Sequence, residues 1–598
     1  MNSETCQCRN CKQNFTIESE DFAFYEKIKV PSPTFCPDCR LQRRLSYKNE
    51  RTLYKRQCDL CGNDSISIFP PDAVFPVYCP TCWYSDKWDR TIYGQEYDPN
   101  KNFFVQYKEL VNRVPKCGLY IDLPRTVGDH YLNLTGPMKN CYLMFLAEDC
   151  EECMFSSSTF GCKNSLDCYK NTSANNSYEL FSCYNCYNCA WSMDMANCVN
   201  VYFSTGMVNC SDCFGCNNLT SKKYHVFNKP YSREDYFKEI ARYDMGSHRI
   251  VEGHKKNRVE SAMKYPKRYM YGYQNDNVSG NDLYQCKNVK KSFEVIGGQD
   301  NKYCHVVNMP PSDHCYDYGD WGNSVSYMYE SVNCGENMSN IKFCYACWVG
   351  QNQEYCDVVI NCNDVFGCVS LRNQKYCILN KQYSPEEYAK LRARVIEDMN
   401  NNPYLDKRGR VYKYGEFFPA ELSVYSYNET IAQEYFPITE EEAGLQGYPW
   451  HKVEEKDYGI TLPAEKLPDN IKEVDEGIME EVIGCAHGVS PAGGCDHHCS
   501  TAFKIIPSEY EFYKRFNYPI PRLCPNCRHA ERVKFRNPLK LWPRGCQCSG
   551  HGSSDGVYQN TVSHQHGAES CLNKFETSYS PERPEIIYCE ECYQREVS

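Results

Sequence analysis

Between Gly118 and Lys381 the chain carries short apolar or aromatic patches that recur every 11 or 12 residues on average, and this spacing constrains the fold more than any other feature. The patches begin near Tyr142, Met154, Asp167, Tyr178, Cys189, Val201, Cys213 and Tyr224. After a break they resume near Leu283, Phe293, Tyr303, Cys315, Val325, Ile341, Tyr355, Phe366 and Tyr376. Short strands at a fixed spacing, with no long helices between them, predict a β-solenoid whose coils cover one another's open edges. Asparagine precedes cysteine here at Asn140, Asn185, Asn188, Asn197, Asn209, Asn333 and Asn361. Asparagine tolerates left-handed corners, and cysteine is small and apolar enough to stack in a narrow lumen.

The array is duplicated. Cys216, Asn228, Lys229 and Tyr231 recur as Cys368, Asn380, Lys381 and Tyr383 at a constant offset of 152. Each copy is followed by helix-start signals, Ser232 with Asp235 and Ser384 with Pro385 and Glu387, so a helix is expected to cap each copy.

Both ends of the chain carry CxxC pairs. Cys8, Cys11, Cys36 and Cys39 form one set, and Cys58, Cys61, Cys79 and Cys82 a second. Two such knuckles present four thiolates to a tetrahedral zinc ion, which replaces a core that short segments cannot build. Cys6 is left over. At the other end Cys499, Cys524 and Cys527 repeat the first set, with Cys495 as the expected fourth ligand and His497 or His498 as substitutes. Cys546, Cys571, Cys589 and Cys592 repeat the second set with 22 extra residues inside the first knuckle, and Cys548 competes with Cys546. That insert carries His551, His564 and His566, three histidines that suit either an open zinc site or a polar loop. The expected cofactor is zinc, about four ions per chain.

The segment Cys8–Arg40, "CKQNFTIESEDFAFYEKIKVPSPTFCPDCR" with its leading knuckle, resembles the bacterial probable zinc-ribbon family. The whole order, including "YNET…EYFPIT" and "PERPEIIYCEECYQREV", resembles uncharacterised cysteine-rich zinc-ribbon proteins of candidate-phyla (Patescibacteria-type) bacteria. The resemblance implies zinc ribbons at both ends and brings no established activity.

Other motifs suggest chemistry. Arg40, Arg43, Arg44, Lys48, Arg51, Lys55 and Arg56 form a basic stretch suited to nucleic-acid phosphate. Cys183, Cys186 and Cys189, and likewise Cys210, Cys213 and Cys216, have the first spacings of an iron–sulfur motif but lack its last cysteine and proline. Asp313, His314, Asp317, Asp320 and Trp321 gather on one polar turn, where carboxylates of a β-helix can cleave sugars. No hexapeptide pattern of an acyltransferase β-helix is present.

Of 598 residues, 42 are cysteine, and the net charge of −11 argues against a chain that coats nucleic acid along its length. With no basic-then-apolar leader and no run of 18 apolar residues, a cytoplasmic protein with reduced thiols is expected, with no membrane partner. The expected fold is mainly β: tandem ribbons (1–116), a first solenoid copy with its helix (117–240), a linker (241–270), a second copy (271–399), a connector (400–484) and tandem ribbons (485–598). The expected function is a zinc-binding, non-enzymatic scaffold whose Tyr-rich solenoid face meets a protein or RNA partner. A nucleic-acid-binding factor and a redox or carbohydrate-active enzyme are the alternatives.

Overall fold

A computed structural model describes residues 2–128, 130–163, 166, 169–172, 181–452, 458–488, 499–550, 552–553 and 558–597. The patches near Asp167 and Tyr178 begin outside these residues. The middle of the chain is a β-solenoid, and the whole is mainly β with about twenty turns and few helices.

In the first copy Phe145, Ser157, Tyr169, Phe181, Met193 and Thr205 lie in one parallel column, so each coil takes 12 residues. A finer period runs inside each coil. Asn185, Asn188, Trp191, Asp194, Asn197, Asn200 and Phe203 all have φ between 47° and 55°. Every third residue is therefore left-handed, giving four corners per coil. The residue after each corner turns into the lumen, which places Cys186, Cys189, Ser192, Met195, Cys198, Val201 and Ser204 inside. A left-handed corner costs an L-residue about 1–2 kcal/mol. Asparagine and aspartate reduce that cost, and their side chains bond between coils: Asn188 donates to Asn200 at 2.8 Å and Asn200 to Asp212 at 2.9 Å. At the Trp191 and Phe203 corners the two rings stack at 4.8 Å.

The second copy follows the same plan with three enlarged coils. Its column Phe293, His305, Gly319, Val332, Tyr345, Asp357 and Val369 advances by 12, 14, 13, 13, 12 and 12 residues. The two copies match coil for coil, and the extra residues raise their offset from 148 at Phe145 to the 152 seen near Cys216. Each copy closes with an antiparallel turn, Val226 on Lys229 and Ile378 on Lys381. The helices Arg233–Ile240 and Pro385–Asn401 follow, the latter with a full capping box. The stretch 241–270, expected as a linker, contains the helix His248–Ala262, whose His254 packs on Phe203 and Phe214. The first part of the connector runs over the second copy, joining Tyr425 to Tyr345 through their hydroxyls at 2.9 Å. Its later part lies against the His248–Ala262 helix and the module around Cys524, where Asp469 accepts from the His248 amide and Ala464 from Arg522. Its helix Glu440–Gln446 carries the Thr439–Glu442 capping box.

The chain ends dock crosswise. The amino-terminal module packs on the second copy, with Phe24 stacked 3.9 Å from Tyr316 and Arg40 over Tyr303. The module around Cys524 packs on the first copy, with Arg528 over Phe155 and Tyr518 against Trp191. Tyr303 and Phe155 are matching positions of the two copies, so the two modules dock in equivalent ways. The last module pairs Ile587–Tyr588 with Lys267–Arg268, at the entrance to the second copy.

This docking removes the basic stretch from solvent. Arg40, Arg43, Arg44 and Lys48 are all buried. Asp317 accepts from Arg40 at 2.7 Å and from Arg44 at 3.0 Å, Glu330 from Arg43 at 2.9 Å, and Asp320 from Lys48 at 2.8 Å. Arg51 reaches Ser157 and lies over Phe145, Arg56 pairs with Asp59, and Lys55 is exposed. Most of the basic stretch is thus joined to Asp317 and Asp320, two of the carboxylates of the alternative sugar-cleaving reading, in one buried ion-pair network, while Asp313 pairs with His314 outside it. Burial alone would depress Arg40, but Asp317 holds it well above the usual range. Burial raises Asp320 against the pull of Lys48.

Among the described residues no helix is long and apolar enough to cross a membrane.

Candidate metal centres

Among the described residues, four cysteine tetrads lie toward the chain ends: Cys8, Cys11, Cys36, Cys39; Cys58, Cys61, Cys79, Cys82; Cys485, Cys499, Cys524, Cys527; and Cys546, Cys571, Cys589, Cys592. Within each, all donor atoms lie within 4.8 Å of one another. A tetrahedron of thiolates around a metal at 2.3 Å has edges of about 3.8 Å. The sulfurs of Cys11 and Cys36 are 3.7 Å apart, those of Cys499 and Cys524 3.9 Å, and those of Cys571 and Cys589 3.9 Å.

The four sets share one local construction. The amide of the first cysteine donates to the carbonyl two residues beyond the second: Cys8 to Gln13, Cys58 to Asn63, Cys485 to Thr501 and Cys546 to Asn573. The amide of the third cysteine donates to the sulfur of the first at 3.2 Å in every set: Cys36 to Cys8, Cys79 to Cys58, Cys524 to Cys485 and Cys589 to Cys546. In three sets the third cysteine is followed by proline as the first helical residue: Pro37, Pro80 and Pro525. Proline fits there because its missing N–H would have no helical partner.

This construction places Cys485 as the first cysteine of the third set, at the position where the sequence favours Cys495. Cys495, His497 and His498 lie outside the described residues. Ile483 pairs with Phe503 as Cys6 pairs with Phe15, so the knuckle is split by an insertion and has not slipped. The match of Phe503 to Phe15 was the available signal, since it fixes where the preceding strand must lie. Cys546, and not Cys548, makes the first-ligand contacts of the fourth set. Cys6 lies beside Glu4 and outside the first tetrad.

Four sulfurs so close cannot all ionise without a cation. Hydrogen bonds from the Cys36 and Cys39 thiols push Cys8 toward the thiolate, while contacts with Cys39 and Cys8 push Cys36 up. Amide donors reach these sulfurs as well: the side chain of Asn10 donates to Cys39 at 3.3 Å and that of Asn573 to Cys589 at 3.4 Å. The arrangement fits a closed four-coordinate metal.

The middle cysteines are differently placed. The CxxCxxC triplets are successive lumen positions of the three-residue period, and their thiols touch one another inside it, as Cys186 does Cys183 and Cys189. Their thiols donate to the carbonyl two residues back, as Cys186 does to Tyr184 at 3.4 Å and Cys213 to Ser211 at 3.3 Å. Ser192 and Ser204 make the same bond with their hydroxyls, at 3.0 and 2.9 Å. Here sulfur acts as a lumen filler and a carbonyl donor.

No family model and no curated protein matches this chain. Among solved structures, a chain described as "putative acetyltransferase from Desulfovibrio desulfuricans G20" shares 9% identity, covering 47% of this chain and 84% of that one, at a TM-score of 0.09. A likeness of that size bears on neither fold nor activity.

Proposed function

We propose that the protein is a zinc-binding, non-enzymatic scaffold in which tetrathiolate sites at both ends brace a β-solenoid that receives a protein partner. The observation that carries this reading is the common construction of the four tetrads. Four thiolates leave no open position for substrate or water, which is the arrangement of structural zinc. The lumen is packed with cysteine, valine and methionine side chains, and Asp317 and Asp320 are held in ion pairs, so neither supports catalysis.

Much of the tyrosine-rich face is already used inside the molecule, since Tyr303, Tyr316, Tyr329, Tyr345 and Tyr355 are buried. Tyr184, Tyr187, Val199 and Val208 of the first copy stay 38–49% exposed in two neighbouring columns, and they mark the surface for a partner. A protein fits this surface better than RNA, because the buried arginines cannot reach phosphate and the net charge is −11.

Elemental analysis of protein purified without added metal is the direct test, with about four or more zinc per chain expected. Iron with sulfide would overturn the reading. Anisotropy with single-stranded RNA should show no binding, whereas binding that falls steeply with salt would replace the protein partner with a nucleic acid.

A further inference from the structure

The insert that splits the knuckle of the last module brings new ligand types to the fourth tetrad. Cys548, His564 and His566 converge on Cys592, and the four donor atoms lie within 4.8 Å of one another. Cys548 Sγ is 3.2 Å from His564 Nδ1 and 3.4 Å from His566 Nε2, and Cys592 Sγ is 3.4 Å from the same His566 Nε2. Metal bonds of 2.3 Å to sulfur and 2.0–2.1 Å to nitrogen predict edges of about 3.5 Å between such donors.

The second nitrogens of both rings are held. His564 Nε2 meets Glu596 at 2.8 Å, with both side chains fully buried. His566 Nδ1 meets the carbonyl of Glu569 at 2.6 Å. Glu596 is fixed in turn by the Tyr558 hydroxyl at 2.6 Å and the Thr561 hydroxyl at 2.9 Å. A carboxylate or carbonyl on the far nitrogen is what orients a metal-binding imidazole and sets its tautomer. Asn560 adds an amide donor to Cys548 at 3.1 Å. A loop that merely packed would not need both rings fixed from behind with their free nitrogens aimed at thiols.

We propose that the last module holds a second zinc ion on Cys548, His564, His566 and Cys592, and that the Cys592 thiolate bridges it to the ion of Cys546, Cys571, Cys589 and Cys592. Cys592 is common to both sets, so two four-coordinate ions require it to bridge. This centre rests on the reading that the tetrads hold zinc. His551 of the same insert lies outside the described residues and has no part in it.

The test compares the full chain with a His564→Ala/His566→Ala variant by zinc content per chain. One zinc fewer in the variant supports the second site. Equal, non-zero counts overturn it and leave the tetrads standing, and zinc absent from both proteins overturns the tetrad reading itself. Should the variant fold poorly, the intact protein decides. X-ray absorption at the zinc edge should show a metal–metal distance of about 3.5–4 Å. In the fully cadmium-113-substituted chain, two of the five expected resonances should be split by mutual coupling. Five cadmium signals with no coupled pair among them, and no metal–metal distance, would overturn the bridge.

Discussion

At the residue scale, Asp317 carries an unusual share of the docking. It receives Nε and Nη2 of Arg40 on one oxygen and Nη1 of Arg44 on the other, with no exposure of its own. Replacing it by alanine leaves two buried guanidinium groups short of a counter-charge, and breaking such a pair costs about 3–5 kcal/mol. Asp317→Ala should lower stability by that amount in chemical denaturation, with Tyr303 and Tyr316 becoming exposed. A loss below about 1 kcal/mol, typical of exposed ion pairs, would mean that the network is solvated. Cys485→Ser should remove one metal equivalent, and full retention would return the ligand role to Cys495. Both charged clusters were visible in the sequence as clusters. Their pairing was not, because Arg40 and Asp317 are 277 positions apart and no local pattern couples them. Cys485 was hidden for a related reason: an insertion separates it from its knuckle partner, so spacing favoured the nearer cysteine.

At the scale of the element, the coil was legible and its corners only in part. Once per coil an aromatic or apolar patch returns, and that coarse beat of 12 survives in the text. The underlying triplet is masked because the lumen accepts Cys, Ser, Met, Val, Thr or Ala, so no single residue type repeats every third position. The seven Asn–Cys steps did expose it locally, and all seven asparagines are left-handed. Asn197→Val should cost about 1–2 kcal/mol through its corner, a loss readable as a shifted denaturation midpoint. Cys198→Ser should be nearly neutral, since Ser192 and Ser204 fill the same kind of slot.

The lumen also sets an alkaline limit. Burial pushes Cys315 and Cys377 up to about 12 from an ordinary 9.0. Above pH 9 the unfolded thiol ionises and the folded one does not, so stability is complete below pH 9 and is lost as pH rises toward 12. Each such thiol removes about 1.4 kcal/mol at pH 10. Stability measured under reductant should therefore fall steeply from pH 9 to 10.5, and Cys315→Ser should make that fall shallower. A flat profile would contradict fully buried thiols.

For the whole molecule, metal and solenoid should come apart in order. Coils are held by their own ladders and lumen, whereas the end modules depend on their tetrads. Chelation should release the modules to protease and expose the buried tyrosines while the far-ultraviolet signal of the solenoid persists. Loss of all structure together would show that the solenoid cannot stand without its braces.

The crosswise docking also has a history in time. The module bearing Arg40 is made first, and its platform at Asp317 is made 277 residues later. At about 5–20 residues per second that is a wait of roughly 15–55 s. Throughout it, Arg40, Arg43, Arg44 and Lys48 remain uncovered on a segment whose own cysteines are already complete. The platform of the module around Cys524, by contrast, is finished before that module exists. One end of this chain is born waiting, and the other arrives to a prepared seat.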